Sequence, residues 1–253
     1  MKIVYDASDP WPQYLKCLNE LIKDNCAKQL CEIGGGAFPS LSLEQIKEQN
    51  LRYTILDISR TELERAPEEY VKVEADICDP KLKSEEKYDL IFSKMLAEHV
   101  IDAEVFHTNV YKLLKPGGIA FHFFPTLYSL PFVINRLIPE FLAKLLFNLF
   151  VRNDPIVHKR FTAHYNWCQG PIKKQINNLE KVGFEIIEYK GFFGHKYYKK
   201  IPILKSLHKL TTRFLMCYPN AYLTSFSFVV LRKRPNPVVK SRLRIMSRGP
   251  GPV

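Results

Sequence analysis

Acidic residues run out at Glu188. Beyond it the chain has no aspartate or glutamate but 14 lysines and arginines, whereas the first 188 residues carry all 26 acidic side chains and only 23 of the 37 basic ones. The formal charge of +11 therefore belongs to the C-terminal part. Such an asymmetry suggests contact with an anionic surface, whether phosphate headgroups, a nucleic acid or a charged substrate, although a solvated face with a basic tail has the same composition. The six cysteines (Cys17, Cys26, Cys31, Cys78, Cys168, Cys217) include no C-x-x-C pair and no Cys/His spacing of a zinc site, which argues against a metal knuckle or a redox motif and for reduced, mostly buried thiols. The N-terminus has an acid at position 6 and no long apolar run, unlike a signal peptide, so the expected compartment is the cytoplasm. Residues 116–135 are uncharged over the length of a membrane span, yet Pro116, Pro125, Pro131 and the Gly117-Gly118 pair break any helix there; a buried strand followed by a turn fits better.

What is present is an ordinary globular composition over 253 residues, 46% hydrophobic and 25% charged, enough for one large domain with a sizeable core. Short apolar bursts at residues 30–33, 53–56, 71–75, 90–92, 119–124 and 184–189 alternate with helical patterns, as in βα units that build a parallel sheet. A last burst at residues 222–231 follows without the usual βα spacing and is suited to antiparallel pairing with the sixth. Ser59 and Glu62 have capping-box spacing. Phe106, Val110, Leu113 and Leu114 form one stripe of a helix that Pro116 and Gly117 end, and Ile172, Ile176 and Leu179 form another between Pro171 and Gly183. Two insertions interrupt the rhythm, a strongly apolar one at 125–167 and an aromatic, lysine-rich one at 191–220. The first is suited to packing on the domain, to covering a substrate or to lying on a membrane, and both read as a lid or substrate cap. Residues 1–231 thus read as one domain and 232–253 as a basic tail with little order.

The first of those strands runs into Cys31-Glu32-Ile33-Gly34-Gly35-Gly36-Ala37, a glycine turn that lets a ligand approach the backbone. The next ends in Asp57, 21 positions beyond Gly36, near the interval at which nucleotide-binding folds place an acid on ribose hydroxyls. The third is followed by Asp76-Ile77, a second acid at a neighbouring strand end. A dinucleotide fingerprint would need glycine where Pro39 stands, which weighs against a NAD(P) oxidoreductase.

Together with Leu56-Asp57-Ile58-Ser59, Tyr88-Asp89-Leu90-Ile91-Phe92-Ser93, Leu96-Ala97-Glu98-His99-Val100 and Leu113-Leu114-Lys115-Pro116-Gly117-Gly118, these segments resemble the class I S-adenosylmethionine-dependent methyltransferases, over residues 29–124 and in the right order. The Leu96–Val100 segment is similar to the small-molecule and lipid branch. The resemblance implies an α/β fold, a doubly wound, Rossmann-like, mostly parallel sheet of seven strands with an antiparallel last strand and a helical insertion after the fifth. It also implies S-adenosyl-L-methionine as cofactor. Gly34 and Gly36 would carry its methionine part with Glu32 near the amino group, Asp57 and Ile58 its ribose, and Asp76 and Ile77 its adenine. Ser93 and Met95 would line the methyl-donor end. Phe38 departs from the pattern, standing where many members have a third glycine, so a wider turn is expected.

If the acceptor is a hydroxyl, a base must take its proton, and His99 is the leading candidate because the loop after the fourth of these strands faces the methyl donor in this fold. Glu98 reads as a cap or a surface charge, and His122 as a satisfied core residue. The apolar insertion and the positive charge favour a small-molecule, lipid or glycan-type acceptor, methylated at oxygen or carbon, with peripheral membrane contact. An RNA methyltransferase using the basic C-terminal third and a non-catalytic module that keeps the fold are the other readings.

Overall fold

The computed structural model describes residues 1–83, 85–126, 162–198 and 202–234. Among the described residues eight strands form one sheet: β1 (Lys2–Asp6), β2 (Gln29–Ile33), β3 (Arg52–Asp57), β4 (Val71–Glu74), β5 (Tyr88–Lys94), β6 (Leu114–Pro125), β7 (Phe184–Phe192) and β8 (Phe226–Lys233). Their spatial order is β1-β7-β8-β6-β5-β2-β3-β4. All neighbouring pairs are parallel except those of β8, which is antiparallel to both β6 and β7.

The fold is thus the expected α/β one with one strand more than the seven read from the sequence. The added strand, β1, is an edge strand parallel to β7. Its residues are exposed or half-buried, so it lacks the buried apolar run that marks the central strands. The last strand also starts later than expected, at Phe226, because Ala221–Leu223 form a 3₁₀ turn in which Tyr222 and Leu223 are exposed.

Side chains alternate cleanly across the sheet, as the two-residue period requires. Leu30, Tyr53, Ile55, Phe92, Phe121, Phe123, Phe228 and Val230 share one core with Tyr14, Leu18 and Ile22 of α1 (Trp11–Asp24). Ile33, Leu56, Ile91, Phe124, Val229 and Leu231 share the other with Phe106 and Val110 of α4 (Ala103–Leu113) and Ile176 and Leu179 of α5 (Lys173–Val182). Burying a stripe of three large apolar side chains contributes roughly 1.5–3 kcal/mol for each, so both faces are anchored without help from the short helices α2 (Leu43–Glu48) and α3 (Arg60–Arg65). Leu113 closes α4 and Leu114 already begins β6, upstream of Pro116. Gly183, with φ +114°, closes α5 as expected, since glycine adopts that conformation without a Cβ clash.

Of the 125–167 insertion, residues 127–161 lie outside the described residues, as do 199–201 of the second and 235–253 of the tail. The rest of the second insertion includes helix α6 (Pro202–Cys217). Arg232 and Lys233, read as the start of the tail, belong to β8; the Lys233 ammonium is buried and donates to Glu86 Oε1 and to the Leu114 carbonyl, each at 2.8 Å. The cysteines are less buried than expected: Cys31 and Cys168 are buried, Cys17 and Cys78 half-buried, Cys26 and Cys217 exposed, and all six are free thiols. Among the described residues no helix is long and apolar enough to cross a membrane.

Candidate functional site

Strand order reverses at β2, which has β3 on one side and β5 on the other. In open α/β sheets such a switch point leaves a crevice beyond the carboxyl ends of the strands, where ligands bind. The register brings the candidate residues there: Ile33 at the end of β2 pairs with Leu56 and with Ser93, and Asp57 pairs with Glu74.

The glycine turn that follows Ile33 is left-handed at two positions, Gly34 with φ +74° and Gly36 with φ +42°. A Cβ at Gly34 would fall 2.5 Å from the Leu96 side chain, and one at Gly36 would fall 3.2 Å from Asp57 Oδ2. Both backbone conformation and packing therefore demand glycine. Phe38 does not fill the turn; it is exposed, with the Arg65 guanidinium 5.8 Å from its ring centre.

Asp57 sits half-buried beside this turn. Its Oδ1 accepts the Ser59 amide at 2.9 Å, and Ser59 in turn caps α3 by accepting the Glu62 amide. Only half of the expected capping box forms, because Asp57 takes the Ser59 amide and the Glu62 carboxylate pairs with Arg65. Burial raises the Asp57 pKa, against the lowering effect of the Ser59, Gly36 and Ile58 amides. Ile58 is exposed at the rim. Asp76 is exposed, its Oδ1 accepting the Cys78 amide at 2.8 Å. The buried Asn109 of α4 pins the same loop by donating to the carbonyls of Ile77 and Asp79, each at 2.8 Å.

Two of the expected cofactor contacts have side chains turned into the protein. Glu32 is fully buried, accepting the Ser40 amide at 2.8 Å, the Ser40 hydroxyl and the Tyr53 hydroxyl. It braces the glycine turn from beneath: a Cβ at Gly35 would lie 3.1 Å from its carboxyl carbon. Ser93 is likewise fully buried and its hydroxyl pairs with His122 Nδ1 at 2.8 Å. That leaves His122 Nε2 without a partner, and burial pushes the ring pKa down to about 3, so it is a neutral core residue only half satisfied. Met95, by contrast, stands at the strand end in a left-handed conformation, φ +54°, with its amide tied to the Phe123 carbonyl at 2.8 Å. A non-glycine residue in that region carries backbone strain of the kind found at ligand sites.

The 3₁₀ turn Ala97–His99 follows directly and is roofed by the segment that returns to α5. The Glu98 carbonyl accepts the amides of His164 and Tyr165, and His99 Nδ1 lies 3.2 Å from the Thr162 carbonyl. A carbonyl can only accept, so Nδ1 carries the proton and the lone pair is on Nε2, which faces Glu98 Oε1 at 3.7 Å. Burial lowers the His99 pKa, keeping the ring neutral and basic near pH 7. Glu98 is neither a surface charge nor a cap. It is buried, Oε2 has no hydrogen-bond partner, and desolvation pushes its pKa up to about 8. Sequence reasoning missed it because its burial depends on residues 162–165, far along the chain. No group of three or more His, Cys, Asp or Glu side chains placed to hold a metal ion occurs among the described residues.

Residues 31–122 match the family described as a methyltransferase domain. Solved structures similar to this chain include an S-adenosylmethionine-dependent methyltransferase from Mesorhizobium loti (19% identity, 88% of this chain and 97% of that one, TM-score 0.55). A second is from Archaeoglobus fulgidus (15%, 87% and 94%, TM-score 0.52). Phosphoethanolamine N-methyltransferase 2 from Haemonchus contortus, solved with S-adenosyl-L-methionine, is similar over 88% of this chain and 53% of its own (17%, TM-score 0.54). No curated protein matches the chain. At these identities the structural likeness establishes the fold, that of the class I S-adenosylmethionine-dependent methyltransferases.

Proposed function

We propose that this chain, whose residues 31–122 form a methyltransferase domain of the class I kind, transfers a methyl group from S-adenosylmethionine to a small-molecule, lipid or glycan-type acceptor at oxygen or carbon. The observation that carries this reading is the convergence at one switch point of a two-glycine left-handed turn, the Asp57 carboxylate beside it and the Asp76 loop. The residues fit the cofactor. Gly34 and Gly36 would let its amino-acid part lie against backbone, Asp57 would accept from the ribose hydroxyls, and Asp76 with the Ile77 amide would read adenine. When bound, S-adenosylmethionine supplies an electrophilic methyl group on a sulfonium.

The chain's own part is to orient the acceptor, exclude water and remove a proton. His99 is the candidate for the last task, its Nδ1–H donated to the Thr162 carbonyl and its Nε2 facing Glu98 Oε1 at 3.7 Å. Glu98 beside it is protonated at neutral pH and adds no charge to the site.

Calorimetric titration with S-adenosylhomocysteine, with NAD as the comparison ligand, tests the cofactor. Micromolar binding of the first alone is expected. Binding of NAD alone would overturn the reading, and binding of neither would leave a fold without its chemistry. Once an acceptor is identified, His99→Ala is expected to lower turnover by about 10²–10⁴-fold; full turnover would return His99 to a structural role.

A further inference from the structure

Helix α6 is turned the opposite way to the other long helices. In α1 the apolar stripe Tyr14, Leu18 and Ile22 is buried, whereas in α6 the only buried residue is Thr212. Its apolar stripe, Ile203, Leu207, Leu210 and Phe214, follows i, i+4, i+7, i+11 spacing and points outward, 80%, 56%, 65% and 61% exposed. Tyr218, 69% exposed, continues it past the helix end. The helix is nonetheless held in place from its inner side, by Thr212 and by His208, whose ring stacks on His195 with centroids 3.9 Å apart.

Charge is distributed just as unevenly. Lys205, Lys209 and Arg213, at i, i+4 and i+8, form an exposed row that runs from the Thr212 side of the helix at Lys205 to the edge of the apolar stripe at Arg213. None of them makes an ion pair with a described residue, and the sequence from residue 189 onward contains no carboxylate to neutralise them. An exposed apolar stripe on a helix whose only charged side chains are cations has the pattern of a helix that lies in the plane of an anionic bilayer, its apolar side at the headgroup–acyl boundary. Sixteen residues span about 24 Å, less than a bilayer core.

Topology gives the helix its meaning. It joins the carboxyl end of β7 to the start of β8, and β8 is antiparallel to both β6 and β7. The carboxyl end of β7 therefore lies at the same end of the sheet as the glycine turn, Asp57 and Met95.

We propose that α6 docks the protein on an anionic lipid bilayer, with Ile203, Leu207, Leu210 and Phe214 inserted at the interface, Arg213 at the headgroups and Lys209 extending toward them. Docking in this manner sets the ligand-binding end of the sheet beside the lipid surface. It requires only the helix and does not depend on methyl transfer.

The test is sedimentation of the full chain with vesicles of phosphatidylcholine alone and of phosphatidylcholine mixed with phosphatidylserine. Co-sedimentation with the anionic vesicles is expected. The double variant Leu210→Glu/Phe214→Glu should weaken it by on the order of ten-fold or more, with thermal midpoint and S-adenosylhomocysteine titration unchanged because both positions are exposed. The charge-removing variant Lys209→Gln/Arg213→Gln should weaken it too, and added salt should do the same to the wild type. Because the double variant keeps every basic residue beyond Arg234, its loss of binding assigns the contact to the helix. The proposal is overturned if the wild type stays in the supernatant, or if the double variant sediments as well as the wild type. It is equally overturned if light scattering shows a dimer that the double variant dissociates while vesicles bind neither form, or if a single-stranded RNA binds the basic row and vesicles do not.

Discussion

Gly36 and Asp57 face each other across the end of the sheet so closely that a single methyl group on the glycine would stand 3.2 Å from the Asp57 Oδ2 oxygen. The turn after β2 and the last residue of β3 thus form one surface. Gly36→Ala is expected to displace the carboxylate and strain a left-handed backbone, and Asp57→Ala to remove the acceptor itself. Each should weaken S-adenosylhomocysteine binding by about ten-fold or more, the loss of one or two hydrogen bonds to a charged group. Titration of the two variants checks this; unchanged affinity in Asp57→Ala would sink the ribose assignment.

Tyr53→Phe separates support from contact. The Tyr53 hydroxyl donates to the buried Glu32, and removing it leaves a buried carboxylate with the two Ser40 donors only. A loss of about 1–3 kcal/mol in stability is expected, measured by denaturant unfolding. Because Glu32 props the turn at Gly35, cofactor affinity should fall less than in Asp57→Ala.

Glu98 makes stability depend on pH in an unusual direction. Its folded pKa of about 8 lies above its ordinary value, so the folded chain keeps a proton that the unfolded chain releases. The protonated carboxyl's contribution is complete below the ordinary carboxylate range and drains away as pH rises toward 8. Glu98→Gln, which has no proton to lose, should match the wild type in acid and exceed its thermal midpoint at pH 8 by on the order of 5 °C. Parallel melting curves at all pH values would refute the assignment.

The His195–His208 stack behaves conversely. Burial, with the neighbouring imidazole, pushes His195 down to about 4, while Asp9 pulls slightly the other way; burial also lowers His208. Between about pH 6.5 and 4 the unfolded rings take protons that the folded ones refuse, so stability present at neutral pH is lost on acidification. Amide exchange along α6 should accelerate at pH 5 relative to pH 7 after correction for intrinsic rates, and His195→Phe, which keeps a ring without the charge, should reduce the difference to what His208 alone contributes.

Much of this architecture was legible in the order of segments. Buried runs such as residues 30–33 and 90–92 declared central strands, and a glycine turn followed by Asp57 declared the switch point, because both depend on residues adjacent in the chain. Lys2–Asp6 gave no such signal: an edge strand with polar ends becomes a strand only when β7 is beside it. The roles of Glu32 and Glu98 were equally hidden. A carboxylate's burial is decided by what closes over it, Ser40 and Tyr53 in one case and residues 162–165 in the other, and no local pattern encodes those encounters. Ser93 lies on a strand whose end reaches the crevice, yet the two-residue alternation sends its hydroxyl to His122. The outward stripe of α6 went unread within an insertion that showed only its aromatics and lysines, and the direction in which it points is set by where the helix docks.

Strand β8 lies between β6 and β7, although it follows both in the chain. During synthesis the two flanking strands emerge with a vacant lane between them, and neither can satisfy its inner row of amides and carbonyls until Phe226–Lys233 arrives. A nascent chain halted before residue 226 would therefore hold two open sheet edges, the state most prone to pairing with other chains. Insertion of β8 joins β1 and β7 to the half of the sheet that holds the glycine turn.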